Sequence, residues 1–536
     1  MKFNCNYQPY KSNRFTHLAS NGMVATSQPL AANAGLDIIK KGGNAVDAAI
    51  ATAACLTVVE PTSNGIGSDS FALVWMKDDK KLYGVNGSGF APKGLTAEML
   101  KEKGLEEMPK FGWTPVTVPG APATWAALSK RFGKLPLSEV LEPAIKYARE
   151  GYPVSPTLAY NWNKEFKKYS EECTNDEYIE WFKTFASLDK APLVGEIVKL
   201  ENHAKTLEEL GITNCESFYR GKIAERIDAC SRKYGGYLRK EDLADYQVEW
   251  VEPIKVNYKG YEICEIPPNG QGIVALMALN MLKKYDFKSK DSPDTYHKQF
   301  EAIKLAFADG KKYVTDPKFM KIKAESLLSD EYADERRKLI TEVAAQPEPG
   351  IPPSGGTVYL CTADGEGNMV SFIQSNYMGF GSGVVIDGTG ISLQNRGADF
   401  SLNKDDYNYL IGGKRSYHTI IPGFILKDDD AVGPFGVMGG YMQPQGHVQV
   451  AMNLIDFNLN PQMALDAPRW QWIEGKQFTV EPDFPIHIVN VLEAKGHEIT
   501  ISTDSGSFGR GEIILRDGKV LYGATESRTD GSVASY

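Results

Sequence analysis

Cysteine and histidine are scarce in this chain, and neither is set out for a metal. Cys5, Cys55, Cys173, Cys215, Cys230, Cys264 and Cys361 are irregularly spaced with no CxxC among them. An odd count in that pattern suggests neither a disulfide framework nor a zinc site. Seven histidines lie scattered without a pair at metal-ligand spacing, so no metal or other cofactor is implied. Basic clusters are missing too: 59 Lys and Arg against 68 Asp and Glu leave a net charge of −9, which argues against a nucleic-acid surface. No apolar run is long enough for a bilayer, since the run at 45–59 is broken by Asp47, Thr52 and Thr57. The first residues lack an apolar signal core. These absences give the expectation of a reduced cytoplasmic protein with neither membrane nor nucleic acid as partner.

What is present is enough chain for a large layered fold. At 536 residues it exceeds the size at which one core stops growing. Gly22 to Ser27 reads as a strand. Pro29 to Lys41 reads as a helix stopped by Gly42 and Gly43, and Asn44 caps an alanine-rich helix at 45–59. Ser70 to Met76 and Lys81 to Gly87 form a hairpin under those helices. A mainly helical stretch runs from about Thr96 to Ala345. It contains a strand ending at Ile266 and helices at 271–285 and 293–313. Beyond residue 357 come short strands and glycine turns, with helices at 443–457 and 461–466. Strands, helices, then strands predict an α/β (α+β) chain folded as a four-layer αββα sandwich, with a largely helical insertion in its first part.

Between the two regions lies Gln346 to Gly356, rich in proline and glycine and expected to be an exposed connector. Immediately after it comes Thr357. A threonine hydroxyl is a weak nucleophile that needs a base. At a chain's start its own α-amino group would serve, with a pKa of about 7.7–8.0, close to working pH. Gly355 and Gly356 would let the backbone take the conformation an N-to-O acyl shift requires. On Gly-Gly-Thr alone, a linker meeting an ordinary strand threonine is the plain reading.

Other stretches change that reading. Gly42-Gly-Asn-Ala-Val-Asp-Ala-Ala49, Val58-Val-Glu-Pro61 with Gly65-Ile-Gly67, and Phe218-Tyr-Arg-Gly221 occur upstream. So does Glu301-Ala-Ile-Lys-Leu-Ala-Phe-Ala-Asp309. Thr357, Gly367-Asn368, Phe380-Gly-Ser-Gly-Val-Val385 and Gly388-Thr-Gly390 follow in order. Together they resemble the gamma-glutamyltranspeptidase family of N-terminal-nucleophile hydrolases over nearly the whole chain. The resemblance implies self-cleavage between Gly356 and Thr357 into a large subunit, 1–356, and a small catalytic subunit, 357–536. It also leaves open a further pairing of two such heterodimers. It implies Thr357 as nucleophile, Ser375 as the hydroxyl that steadies it, and Gly439 and Gly440 as the oxyanion hole.

The departures concern substrate. Ser88, in Asn86-Gly-Ser-Gly89, stands where the family has an arginine that clamps a gamma-glutamyl carboxylate, and a hydroxyl cannot replace that fork. His418 and Thr419 replace a serine pair, Tyr377 replaces an asparagine, and Arg396 replaces a glutamine, whereas Asp399 matches the aspartate that binds the amino group. Arg396 could restore carboxylate binding from another wall or simply pair with Asp399. His418 reads either as a pocket donor or as a buried, satisfied histidine, and His447 as a packing or capping residue. These replacements resemble the branch of oxamate amidohydrolase-like and cephalosporin-acylase-like enzymes. The expected activity is therefore hydrolysis of a small, carboxylate-bearing, oxamate-like amide through an acyl-enzyme. Alternatives are a gamma-glutamyl hydrolase or transpeptidase acting on glutathione-like amides, a cephalosporin-acylase-like amidase, or an uncut homologue that only binds a ligand.

Overall fold

Asn44 begins the central helix as the sequence requires: its side chain accepts from the backbone N–H groups of Val46 and Asp47, and Asp47 answers with a bond to the Asn44 N–H. That reciprocal cap fixes the start of Ala45–Val59. Every residue of this helix is buried, and its alanines let the Pro29–Lys40 helix approach so closely that a methyl on Gly35 would run into the Thr52 hydroxyl. The computed structural model describes residues 3–4, 9–12, 14–186, 190–347 and 356–536. Most of the expected connector, 348–355, therefore lies outside the described residues.

Two seven-stranded antiparallel sheets stack face to face. The first runs His17–Ala19, Val520–Thr525, Arg510–Asp517, Asp430–Met438, Gly423–Lys427, Tyr261–Glu265, Ile254–Tyr258. The second runs Ser532–Ser535, Gly22–Thr26, Gly356–Asp364, Met369–Tyr377, Asp69–Met76, Lys81–Gly87, Glu249–Val251. Each sheet thus combines strands from before and from after Thr357.

The period-two pattern of the central strand decides the layers. Tyr359 and Cys361 point into a core shared with Phe424, Met438 and Ile514 of the facing sheet. Val358 and Leu360 point the other way, onto the alanine-rich helix and the helical insertion with Trp125, Trp162 and Trp181. The opposite outer face is covered by the Gly272–Leu282, Pro293–Tyr313 and Met442–Ile455 helices. The result is the αββα sandwich that the sequence predicts. A small third sheet, Trp470–Glu474, Gln477–Val480 and Glu498–Ile501, sits beside it.

No helix among the described residues is long and apolar enough to cross a membrane. The six cysteines among the described residues are buried and unpaired.

Candidate active site

Thr357 is the second residue of the Gly356–Asp364 strand, at a break in its ladder. Gly356 pairs with Tyr377, but Val358 pairs with Gln374, so Ser375 and Asn376 together oppose Thr357. A bulge of this kind re-aims side chains and is common beside active sites. It brings the Ser375 Oγ to 3.1 Å from the Thr357 Oγ1, both residues being almost fully buried. The Tyr377 N–H donates to the same Ser375 oxygen at 2.8 Å. Leaving the bulge puts Tyr377 at φ +76°, strained for a residue with a side chain.

A continuous hydrogen-bonded chain leads on from there. The Tyr377 hydroxyl donates to Asp399 Oδ1 at 2.7 Å, and the Tyr441 hydroxyl donates to the same oxygen at 3.2 Å. Tyr441 directly follows Gly439 and Gly440, which turn the Asp430–Met438 strand into the Met442–Ile455 helix. Both glycines have positive φ, +132° and +58°. A Cβ on Gly439 would lie 3.1 Å from the Gly509 Cα. The two glycines lie just before the N-terminus of that helix, whose free donors and dipole favour negative charge nearby.

Arg396 lies at the centre of the substrate-side residues. It opens the short Arg396–Asp399 turn, is 1% exposed, and lays its guanidinium 4.0 Å from the centre of the Tyr377 ring. Nη1 donates to the Thr419 hydroxyl at 2.8 Å and lies 3.5 Å from Asp399 Oδ2, a charge contact longer than a good hydrogen bond. Nε and Nη2 have no hydrogen-bond partner although they are buried. Burial pushes the Asp399 carboxyl above its ordinary pKa, opposed by the Arg396 charge.

His418 and Ser88 sit differently. The His418 Nδ1 accepts from the Ile420 N–H at 3.4 Å, so its Nε2 carries the proton and faces Asp69 Oδ2 at 3.1 Å. Burial, and then Arg396, hold His418 well below the usual histidine pKa. Ser88 donates to Asn86 Oδ1 at 2.6 Å and accepts from the Asn269 amide at 3.2 Å. Both side chains are fully buried, with their polar atoms engaged behind the site rather than left open toward it. His447 is likewise enclosed: the Val437 N–H donates to its Nε2 and its Nδ1 meets Glu265 at 2.6 Å.

Several residues here carry no sequence signal. Asp69, paired in register with Ser375, has its pKa raised to about 7 by burial, against the pull of Arg396. Gln271 spans the Thr419 and Gly440 carbonyls with one amide nitrogen, at 2.6 and 2.9 Å, tying the glycine turn to the arginine's partner. Lys311 lies 5.1 Å over the Tyr441 ring, its pKa lowered to about 8 by burial against the opposing pull of Asp399. His297, Glu301 and His497 meet elsewhere, with ligand-capable atoms within 4.8 Å of one another. Two hundred residues separate those histidines, which spacing along a sequence cannot reveal.

Beside Met378 and Gly379, which continue from Tyr377, opens a cleft of about 740 Å³ that Ser63, Lys164, Ser507 and Arg510 also line. Its size falls in the range of ordinary ligand pockets, roughly 300–1,000 Å³.

The chain as a whole has counterparts among known proteins. The gamma-glutamyltranspeptidase family model matches residues 31–536. A glutathione hydrolase-like YwrD proenzyme of Bacillus subtilis is 35% identical over 526 residues, 96% of this chain and 98% of that protein. An oxamate amidohydrolase proenzyme of Klebsiella pneumoniae is 30% identical over 535 residues, 97% of this chain and 99% of that one. The crystal structure of a cephalosporin acylase from Bacillus halodurans superimposes with a TM-score of 0.96 at 61% identity, covering 100% of this chain and 99% of that one. Hydrolase activity and the N-terminal-nucleophile fold come with that likeness, and the chain belongs to the gamma-glutamyltranspeptidase family.

Proposed function

We propose that the chain is a self-processing amidohydrolase that cleaves a small amide bearing a carboxylate, oxamate-like in kind. The Thr357 hydroxyl first attacks the Gly356 carbonyl. The new C–O bond forms as the C–N bond breaks, which frees the Thr357 amine; water then hydrolyses the ester, restoring the hydroxyl and leaving Gly356 as a carboxylate. In each later turnover that amine takes the hydroxyl proton as Oγ1 attacks the substrate carbonyl. The N–H groups of Gly439 and Gly440 hold the oxyanion. Collapse expels the leaving amine with the proton, and water releases the acid. Ser375 steadies Oγ1 throughout.

The observation that carries the substrate class is the buried Arg396 guanidinium, with Nε and Nη2 unpartnered and Thr419 fixing Nη1. Two adjacent N–H groups on a guanidinium match a carboxylate. Ser88 at the position of the family's clamping arginine favours such an acid over a gamma-glutamyl group. A second reading, an amide with a bulkier leaving group as in a cephalosporin acylase, draws on the 740 Å³ cleft and the 61% identity to that enzyme. Six buried, unpaired cysteines among the described residues support a reducing, cytoplasmic setting.

The test has two stages. Purified protein incubated under native conditions should yield two fragments, the smaller beginning at Thr357, and Thr357→Ala should stay whole. The cut enzyme should then turn over oxamate in preference to a gamma-glutamyl anilide. Preference for the anilide would reverse the substrate assignment, and preference for a cephalosporin-type amide would favour the second reading.

A further inference from the structure

Three residues on one face of the Pro293–Tyr313 helix, His297, Glu301 and Lys304, follow the i, i+4, i+7 spacing that aligns side chains. All are buried, and none belongs to the site around Thr357. Glu301 and Lys304, both 0% exposed, pair at 2.5 Å. Their remaining capacity goes to the backbone of a single residue: Glu301 Oε2 accepts from the Ala345 N–H at 3.2 Å, and Lys304 Nζ donates to the Ala345 carbonyl at 2.7 Å.

His297 extends this grip. Its Nε2 lies 2.7 Å from the Thr341 carbonyl, which can only accept, so Nε2 carries the proton. In the neutral ring Nδ1 then accepts, and the His497 Nε2–H donates to it at 2.8 Å. From the same side the Ala344 N–H donates to the Lys495 carbonyl at 2.8 Å, and Lys495 Nζ donates to the Glu342 carbonyl at 3.0 Å. The backbone at 341–345 is thus held by a helix that precedes Thr357 and by residues 495 and 497 that follow it. Only residues 346–356 separate this hold from the nucleophile.

We infer that this cluster is an anchor that fixes where the chain sets out toward Thr357, and that it positions the Gly356–Thr357 bond for self-cleavage without serving later turnover. A buried ion pair is a poor source of stability, because apolar residues of similar volume commonly do as well. What the pair adds is direction, since both backbone groups of one residue are specified. The Lys304 pKa is lowered by burial, with Glu301 opposing the shift. The same atoms do not make a metal site: the ammonium already occupies the cation's place on Glu301, and the His497 proton occupies His297 Nδ1.

The inference rests on the self-processing reading, and the experiment separates the two. Full-length precursor of the parent and of the double variant Glu301→Gln/Lys304→Met is purified cold and warmed, and the first-order appearance of the small fragment is followed on denaturing gels. The double substitution removes both charges together, so that neither is left buried alone. Loss of the anchor lengthens and misdirects the tether, so cleavage should slow by about fivefold or more. Once fully cut, the variant should match the parent kcat/KM within about twofold, as expected of a group outside the transition state. Glu301→Gln/Lys304→Gln, which also removes both charges but keeps a donor for the Ala345 carbonyl, should be slowed less; this pair decides the matter should the first fail to fold. Equal cleavage rates, or turnover falling in step with cleavage, would overturn the anchor. A rise in Tm on adding zinc would overturn it in favour of a metal site. A parent that is never cut refutes the self-processing reading itself, whereas a parent and variants cut equally fast refute the anchor alone.

Discussion

A hydroxyl becomes a nucleophile only where a neighbour manages its proton and another group holds the electrophile still. Ser375, 3.1 Å from Thr357, is the neighbour already in place before any amine is released. Ser375→Ala should therefore slow both self-cleavage and turnover, by about tenfold or more from the loss of one buried hydrogen bond, measured on gels and by steady-state assay. On the proposed reading, Arg396 holds the electrophile. Arg396→Lys keeps the charge but loses the planar fork, so KM for a carboxylate-bearing amide should rise by about ten- to a hundredfold. A neutral amide of the same shape should be little affected, and equal loss for both would point to misfolding. Thr357, Ser375 and Arg396 were legible in the sequence, as matches to or departures from a pattern. Asp69 and Gln271 were not, because an aspartate at the start of a strand and a glutamine before a helix are common and only their burial marks them.

Among the elements, the strand-to-helix turn at Gly439 and Gly440 is the most constrained. With φ at +132°, Gly439 occupies backbone that side chains rarely adopt, and a methyl there would press on Gly509. Gly439→Ala should lower kcat by about a hundredfold, as for loss of an oxyanion donor, with KM changed only a few-fold and Tm reduced. A fall in KM affinity with kcat intact would place the oxyanion elsewhere. Most elements could be read from caps and breakers: Pro293–Tyr313 and Pro461–Asp466 begin at proline, and Ala45–Val59 begins at its capping box. The edge strands Glu249–Val251 and Ile254–Tyr258 escaped notice. Glu249–Val251 spans three residues, too few to show a period, whereas Ile254–Tyr258 alternates apolar and polar residues but lies within a stretch whose composition reads as mainly helical.

At the scale of the whole molecule, the proposed cleavage before Thr357 would sever one peptide bond while both sheets continue to hold strands from either side of it. The two fragments should therefore co-elute at the precursor's size under native conditions and separate only in denaturant, and separation in plain buffer would contradict this. Acid should reveal a second property. His203 is buried and neutral, its pKa lowered from 6.5 to about 4 by desolvation. The unfolded chain takes up that proton below pH 6.5 while the folded chain does not until about pH 4. Stability from this residue is thus complete above pH 6.5 and lost as pH falls through that window. Relative to His203→Gln, the parent should lose about 1.4 kcal/mol per pH unit, read by urea denaturation on a Thr357→Ala background. A pH-independent difference would show that His203 titrates normally.

Sequence by itself determined the reaction class and the layers. Glycine and proline break the chain at fixed places, alternation assigns faces, and a threonine behind two glycines within a family-like context is where the nucleophile is proposed. Tertiary structure alone decided what surrounds that nucleophile. The bulge that aims Ser375, the placement of Arg396 against Thr419 and the grip on Ala345 each depend on residues 18, 23 and 41 positions apart that only the fold sets side by side. Such groups acquire their chemistry from burial and from one another's charge, and neither is a property of local sequence.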